Sequence, residues 1–508
     1  GPGTHGLSLV QRWGSPQAMA ALDDDVPGQR NRSGESIDAT VLGAAADASE
    51  IDVHNLDDET QRFVLETHVE NIGLMDFMGF EIASLLTQFS DVSKVPGVNT
   101  SGGVQRGGYD KMGDVGAFIT TIKSFVGMGI LTLPYASTKG GYVLGPLGLL
   151  LVAYLSHHCM GLLIEMSAAM RAKTVSFGAL GMHVCGRWAK VLVENCLVMT
   201  QYGFAIADLI FIVENVKDVV CVETRGTACP DKTHMCIGVL ALLLPLTWLR
   251  SLQVLTVPVL MSNVVLICGI SWVYYCAFVQ IGTDGVAQGI VAFNWEDLPV
   301  FFGCAVFSFE GIGLILPIQY AMQQPSHFPA ILRQAMILLA VLFSTFSFFG
   351  YAAYGRETRD MITFSIPQNK VTSFLRLFYC VGVFFTYPVM LFPLYQVTES
   401  KFRCLNDSGR CWRRIAFRTT LVVLTGVIGM QIPHFGLFLG LIGSFACSLL
   451  AFVLPALFHL LRPDRSQATR REDAKDVVII AFGVIGGCVS FAITLRDLLS
   501  TSSEEPQV

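Results

Sequence analysis

From about residue 114 onward the chain is a succession of apolar runs separated by short polar stretches. Each run approaches the roughly twenty residues that cross a hydrocarbon core. The runs lie near 114–136, 143–170, 188–216, 233–249, 254–281, 297–322, 330–354, 371–398, 415–432, 435–460 and 476–498. Eleven membrane spans are therefore predicted, the longest of them tilted or reaching into water. Residues 1–110 form a different block, rich in Asp, Glu, Gly and Ser, which predicts a largely disordered tail. Within it, 59–90 carries a helical apolar pattern through Phe63, Ile72, Phe77 and Leu85. That stretch is expected to be an amphipathic helix, either capping the mouth or lying on the membrane, or else one without a role. The organisation expected is a tail (1–110), a transmembrane domain (111–500) and a short C-terminal tail (501–508). The fold class is an all-α polytopic membrane protein.

Two of the runs are interrupted in the same way. The first reads KSFVGMGILTLPYA at 123–136 and the second GCAVFSFEGIGLILPIQ at 303–319. In lipid every backbone polar group has to be satisfied internally. Gly127 and Gly129, then Gly311 and Gly313, weaken helical pairing in mid-membrane, and Pro134 and Pro317 follow within about two turns. Irregular backbone at that depth survives where it lines a cavity or a site. Paired interruptions in two halves of a chain point to a transporter's substrate site. At the first break a second half-helix is expected to begin near Ile130, its free N–H groups suited to a carboxylate. Ser124, Phe125, Gly127, Met128 and Gly129 belong to the same stretch. At the second, the carbonyls near Val306 to Ser308 are free to accept from an ammonium group, with Phe307, Phe309 and Gly311 alongside. The bland alternative is that the glycines only let helices pack closely. Two such motifs weigh toward a site.

Glu310 is the most informative single residue, because a mid-membrane carboxylate is expensive and by default a functional candidate. Burial penalises its charged form, which suits it to proton exchange near neutral pH. Equally, a buried glutamate bonded to backbone would simply pin the break. Asp208 lies deep in the third run and is read as facing a cavity. Lys123 is read as snorkelling, and Glu165 and Arg376 as structural. Tyr387, with Pro388, interrupts the eighth run and either lines the cavity or packs in the core. The ladder Gly436, Gly440, Gly443 reads as helix packing.

Lys and Arg concentrate in alternate loops, including 401–414 and 462–475, which places the N-terminus in the cytosol and the C-terminus on the lumenal or outer side. Most of the net negative charge resides in the tail and says little about function. Cys221 and Cys229 fall in a non-cytosolic loop and are expected to pair, with Cys236 as competitor. Glu81 with Leu85-Leu86 has the acidic-dileucine spacing read by sorting adaptors. The chain opens Gly1-Pro2, read as processing or an expression scar, and no secretory signal pattern precedes the first span. There is no G-x-x-x-x-G-K-[ST] loop, no Cys–His metal spacing and no serine elbow, so neither ATP-driven transport nor enzyme activity is expected. No cofactor, metal or nucleic-acid partner is expected. The lipid bilayer is.

KSFVGMGILTLPYA, GCAVFSFEGIGLILPIQYAM (303–322) and VGVFFTYPVMLFP (381–393) resemble the amino acid/auxin permease family of the amino acid–polyamine–organocation superfamily. The likeness is strongest to yeast vacuolar amino acid exporters and animal proton-coupled amino acid transporters. It covers about 113–400 clearly and the last spans loosely. The resemblance implies eleven helices in a LeuT-like 5+5 inverted repeat, with helices 1 and 6 discontinuous, and transport of small, mainly neutral amino acids with a co-transported proton. It places the substrate carboxylate at Gly127, Met128 and Gly129, and the ammonium near Phe307 and Ser308 beside Phe309 and Glu310. Two features depart from it. Thr120 stands where the animal members carry a histidine implicated in coupling, which shifts weight to Glu310. The 355–370 loop has no cysteine, so any bridge stays within 221–236.

The reading is a secondary active carrier of an endolysosomal or vacuolar membrane, with the plasma membrane as alternative. The alternatives from other classes are an amino acid sensor signalling through its tail, and a channel.

Overall fold

The computed structural model describes residues 112–169, 176–224, 227, 229–249, 256–401, 411–462 and 470–504. The tail, its 59–90 segment and the Glu81, Leu85, Leu86 motif lie outside these. Each of the eleven expected spans is a helix or a broken helix. The first consists of α1 (Asp114–Phe125), a 3-10 turn (Met128–Thr132) and α2 (Leu133–Gly140). The second is α3 (Leu144–Ala169). A short α4 (Phe177–Cys185), capped by Ser176 accepting from the Ala179 amide, leads into the third, α5 (Arg187–Glu223). Then come α6 (Lys232–Thr247) and α7 (Thr256–Asp284). The sixth span is split into α8 (Leu298–Ser308) and α9 (Ile312–Tyr320). The rest are α10 (Phe328–Tyr354), α11 (Lys370–Lys401), α12 (Cys411–Gln431), the tenth span from α13 (Phe435–Ile442) to α14 (Leu454–Leu460), and α15 (Arg470–Glu504). Residues 501–504, expected in the C-terminal tail, continue α15.

Among the described residues nine spans are long and apolar enough to cross a membrane, counting the bent first span as one. The other two are α6, whose 16 residues span about 24 Å, and α12. The early part of α12 carries Arg413, Arg414 and Arg418. Arg418 is buried, yet it donates to the carbonyls of Thr247 and Leu249 and lies 4.6 Å over the Tyr395 ring. Carbonyls at and just past the C-terminus of α6 thus accept from that charge.

Burial ranks the spans. The sixth is 83% buried inside the protein and the tenth 78%, whereas the eleventh is 28% and the fifth 33%. The broken sixth span is therefore central, and α7 and α15 form part of the lipid-facing rim. The span-ten glycines do pack helices, as expected. A Cβ on Gly443 would run into the Gly303 carbonyl, one on Gly303 into the Gly440 carbonyl, and one on Gly436 into Tyr135. Beside this contact the tenth span widens into π-helix over Gly443–Cys447 and Leu449–Val453. A second apolar cluster joins α5, α6, α11 and α12 through Leu209, Leu240, Leu391 and Val422.

Candidate functional site

Both breaks are present where the glycines put them. In the first span Val126 and Gly127 leave the helix for extended backbone, and the chain bends by 47°. The first bond of the new turn runs from the Ile130 amide to the Gly127 carbonyl, 3.3 Å. The amide expected to be free at Ile130 is thus used. Among the described residues the amides of Gly127, Met128 and Gly129 reach no backbone carbonyl. Pro134, at the start of α2, occupies a position where a missing N–H costs nothing.

In the sixth span the break is tighter. Phe309 donates to the Val306 carbonyl and Glu310 to the Phe307 carbonyl, each at 3.2 Å. Two of the three carbonyls expected to be free are therefore engaged in a closing 3-10 turn, although each keeps a second lone pair. Ser308 Oγ donates back to Cys304 O at 2.9 Å. The Glu310 carboxylate faces the amides of Ile312 and Gly311, the first amides of α9. Its Oε2 is buried without a hydrogen-bond partner among the described residues. The carboxyl group therefore sits at the start of α9 with one oxygen left over.

The two breaks interlock reciprocally. A Cβ on Gly129 would lie 3.0 Å from Phe307 Cε1, and a Cβ on Gly311 would lie 2.7 Å from Phe125 Cε1. Each first half-helix carries in its last two residues a phenylalanine whose ring rests on the other span's glycine. The spacing is the same, Phe125 to Gly129 and Phe307 to Gly311. That shared F-x-x-x-G was a signal in the sequence that the glycine count alone overlooks. Phe307 is further held edge-on by Phe204 at 4.9 Å.

The other expected site residues are placed as follows. Ser124 Oγ donates to its own helix, at Thr121 O. Gly127 is exposed and Met128 partly so, while Ile130 is buried. Phe309 turns to Phe343 of α10, 5.1 Å between centroids. Tyr387 does not join the breaks: it is buried in the second cluster, its hydroxyl 2.6 Å from Thr425 Oγ1 of α12. Of its two sequence readings, packing is the one the structure provides. Cys221 and Cys229 are joined in a disulfide, and Cys236 is free and buried beside the Gly426 carbonyl. Arg376, expected to be structural, is engaged by Asn215, Asp218 and Gln368. Among the described residues no cluster of His, Cys, Asp and Glu is arranged for a metal ion.

A buried, broken sixth span clasped to a broken first span, inside a bundle of apolar helices, defines a polytopic membrane protein with two discontinuous helices at its centre. The family model described as "Transmembrane amino acid transporter protein" matches residues 112–496, and the chain belongs to that family. It is 32% identical over 384 residues to Amino acid transporter AVT3B of Arabidopsis thaliana, covering 73% of this chain and 90% of that protein. It is 30% identical over 385 residues to Vacuolar amino acid transporter 3 of Saccharomyces cerevisiae, covering 74% of this chain and 55% of that longer protein. The solved structure of MhsT in complex with L-phenylalanine aligns with 74% of this chain and 98% of its own, at 14% identity and a TM-score of 0.47. The family is one of transporters, not enzymes.

Proposed function

We propose that this chain is a secondary active carrier of small, mainly neutral amino acids, coupled to protons and working by alternating access across a vacuolar or endolysosomal membrane. The observation that carries the reading is the reciprocal clasp of the two breaks, Phe125 on Gly311 and Phe307 on Gly129. An interface in which each partner presents the same feature to the other is what an inverted repeat generates at its axis. The amides of Gly127, Met128 and Gly129 then receive the substrate carboxylate. The second lone pairs of the Val306 and Phe307 carbonyls, with that of Ser308, receive the ammonium. Glu310, beside them, exchanges the proton. Opening moves the rings of Phe125 and Phe307, which close the junction in this state. The vacuolar membrane follows the printed name of the yeast relative, and the cytosolic N-terminus follows the Lys/Arg distribution.

The test is uptake of a neutral amino acid mixture by liposomes containing the purified protein, with and without an imposed inward proton gradient. Saturable accumulation that requires the gradient is expected. Absence of both accumulation and exchange, with thermal stabilisation by amino acid retained, would replace the carrier by a sensor. Flux without saturation or counterflow would make it a channel.

A further inference from the structure

One face of α5 runs past everything so far described. Leu197, Phe204, Asp208, Phe211 and Asn215 recur at helical spacing and share a side. Their contacts give the order along the protein. A Cβ on Gly313, just beyond Glu310, would lie 2.8 Å from Leu197. Phe204 meets Phe307 at the junction of the breaks. Phe211 packs edge-on against Tyr379, 5.2 Å between centroids. Asn215 Oδ1 accepts from Arg376 Nε at 3.0 Å. Beyond the junction Phe211 alone of this face lines a pocket, which it shares with Leu131, Trp272, Thr363, Arg376 and Tyr379. Asp208 sits between junction and pocket, about 6 Å along the helix from Phe204 and about 10 Å from Asn215.

Asp208 is 1% exposed, and its Oδ2 has no hydrogen-bond partner among the described residues. The titratable side chains of α11 on this side are Tyr379, packed against Phe211, and Tyr387, clustered with Leu209. The Arg376 guanidinium further along the face is held by Asp218 at 2.7 Å and Gln368 at 2.8 Å. Ionised charge buried without a partner neutralises instead. This closed state is therefore the state in which Asp208 carries its proton. It contrasts with Glu310, whose carboxylate has two backbone amides before it.

We propose that Asp208 is a second proton-binding site, on the opposite side of the breaks from Glu310, loaded in each transport cycle when the pocket side opens. The proposal rests on the carrier reading above. A proton taken up on the Arg376 side neutralises the carboxylate and lets that side close dry over the substrate. Re-ionisation requires water to reach Asp208 again. The two carboxyls bracket the substrate junction, one on each side of the Phe204–Phe307 contact.

The experiment compares Asp208→Asn and Asp208→Glu with the unaltered protein in liposomes. Gradient-driven accumulation is measured against equal-exchange counterflow in the same preparation, so that loss of active protein cancels. Asp208→Asn is expected to lower the ratio by about tenfold or more. Asp208→Glu is expected to keep coupled uptake with its pH profile displaced. An unchanged ratio in Asp208→Asn, or superposing profiles for Asp208→Glu, overturns the assignment. Should Asp208→Asn fail to fold, the glutamate variant decides alone. Infrared difference spectra on raising pH supply a readout without transport. Loss of a protonated-carboxyl band in the asparagine variant supports the site, and its persistence overturns it. If the unaltered protein accumulates nothing under any gradient, the carrier reading itself falls and Asp208 with it. If it accumulates normally and the asparagine variant does too, only Asp208 falls.

Discussion

The clasp between the breaks makes a quantitative claim that a double-mutant cycle can test. Gly311→Ala places a methyl 2.7 Å from Phe125 Cε1, where ordinary contact begins at 3.4 Å. The ring cannot retreat freely, because Phe125 is only 6% exposed. Overpacking of this kind costs about 1–3 kcal/mol. Gly129→Ala, at 3.0 Å from Phe307, belongs at the lower end of that range and Gly311→Ala at the upper. Phe125→Leu shortens the offending side chain, so the pair Gly311→Ala/Phe125→Leu recovers part of the loss. A coupling free energy of about 1 kcal/mol is expected, within the range for residues in contact. The crossed pair, Gly311→Ala with Phe307→Leu, combines residues for which no such contact is found and is expected to be close to additive. The assay is unfolding in mixed micelles titrated with denaturing detergent, with initial uptake rates measured in parallel. Additivity within about 0.5 kcal/mol for the matched pair would refute the reciprocal contact. Equal coupling in the crossed pair would show a diffuse rearrangement of the junction instead.

The glycines elsewhere separate sharply by what surrounds them. Gly443→Ala drives a Cβ into the Gly303 carbonyl, which cannot swing aside as a side chain does, and is expected to cost about 3 kcal/mol or more in thermal or detergent unfolding. Gly238→Ala and Gly161→Ala, with nothing within 4 Å, are expected to be neutral or to stabilise by up to about 1 kcal/mol. Glu310→Ala strands the amides of Gly311 and Ile312 and is expected to destabilise by about 1–3 kcal/mol. Glu310→Gln, which can still accept from them, should lose less than half of that, and equal losses would remove the capping role. A non-reducing digest analysed by mass spectrometry should recover Cys221 linked to Cys229 and Cys236 as a free thiol. A Cys229–Cys236 link would overturn that pairing.

What could be read from the sequence was whatever follows from local composition. The apolar runs located all eleven helices, and the glycines located both breaks, because length and backbone permissiveness act within a few residues of chain. The small-residue ladder of span ten was legible for the same reason. Partners brought from far along the chain were not. The shared F-x-x-x-G marks Gly129 and Gly311 as a pair, but it does not say that the ring on each comes from the other span. Arg376 looked like an interfacial charge, because Asn215 and Asp218 lie some 160 positions earlier in the chain. The acceptors of the buried Arg418 in α12, the Thr247 and Leu249 carbonyls, are likewise about 170 positions away. Tyr387 sat at a suggestive depth beside Pro388, but depth does not specify which face of α11 it occupies. Thr425 settles that.

The ties at the ends of the two broken spans constrain how the junction can open. On one side Met112, just before α1, pairs with the segment after α9. Its amide donates to Ala321 O and its carbonyl accepts from Gln323 N, both at 2.9 Å. Asp114, at the start of α1, meets His327 Nδ1 at 2.8 Å. On the other side the end of α2 is bound to the segment leading into α8. Tyr142 and Val143 donate to the Val291 and Ala292 carbonyls, Asn294 donates to Gly140 O, and Lys139 pairs with Asp297 at 3.4 Å. Gly141 approaches the Ala292 carbonyl so closely, with φ at +97°, that only glycine fits. Thus α1 is tied to α9, and α2 to α8, each half-helix of one span to the opposite half of the other. Rigid sliding of span one against span six would break one set of ties or the other. A motion that keeps both sets has to bend at Val126–Gly127 and at Phe309–Gly311, where few backbone bonds resist it. The glycines at the breaks are then also the hinges, and the phenylalanines seated on Gly129 and Gly311 are the contacts that each bend has to release.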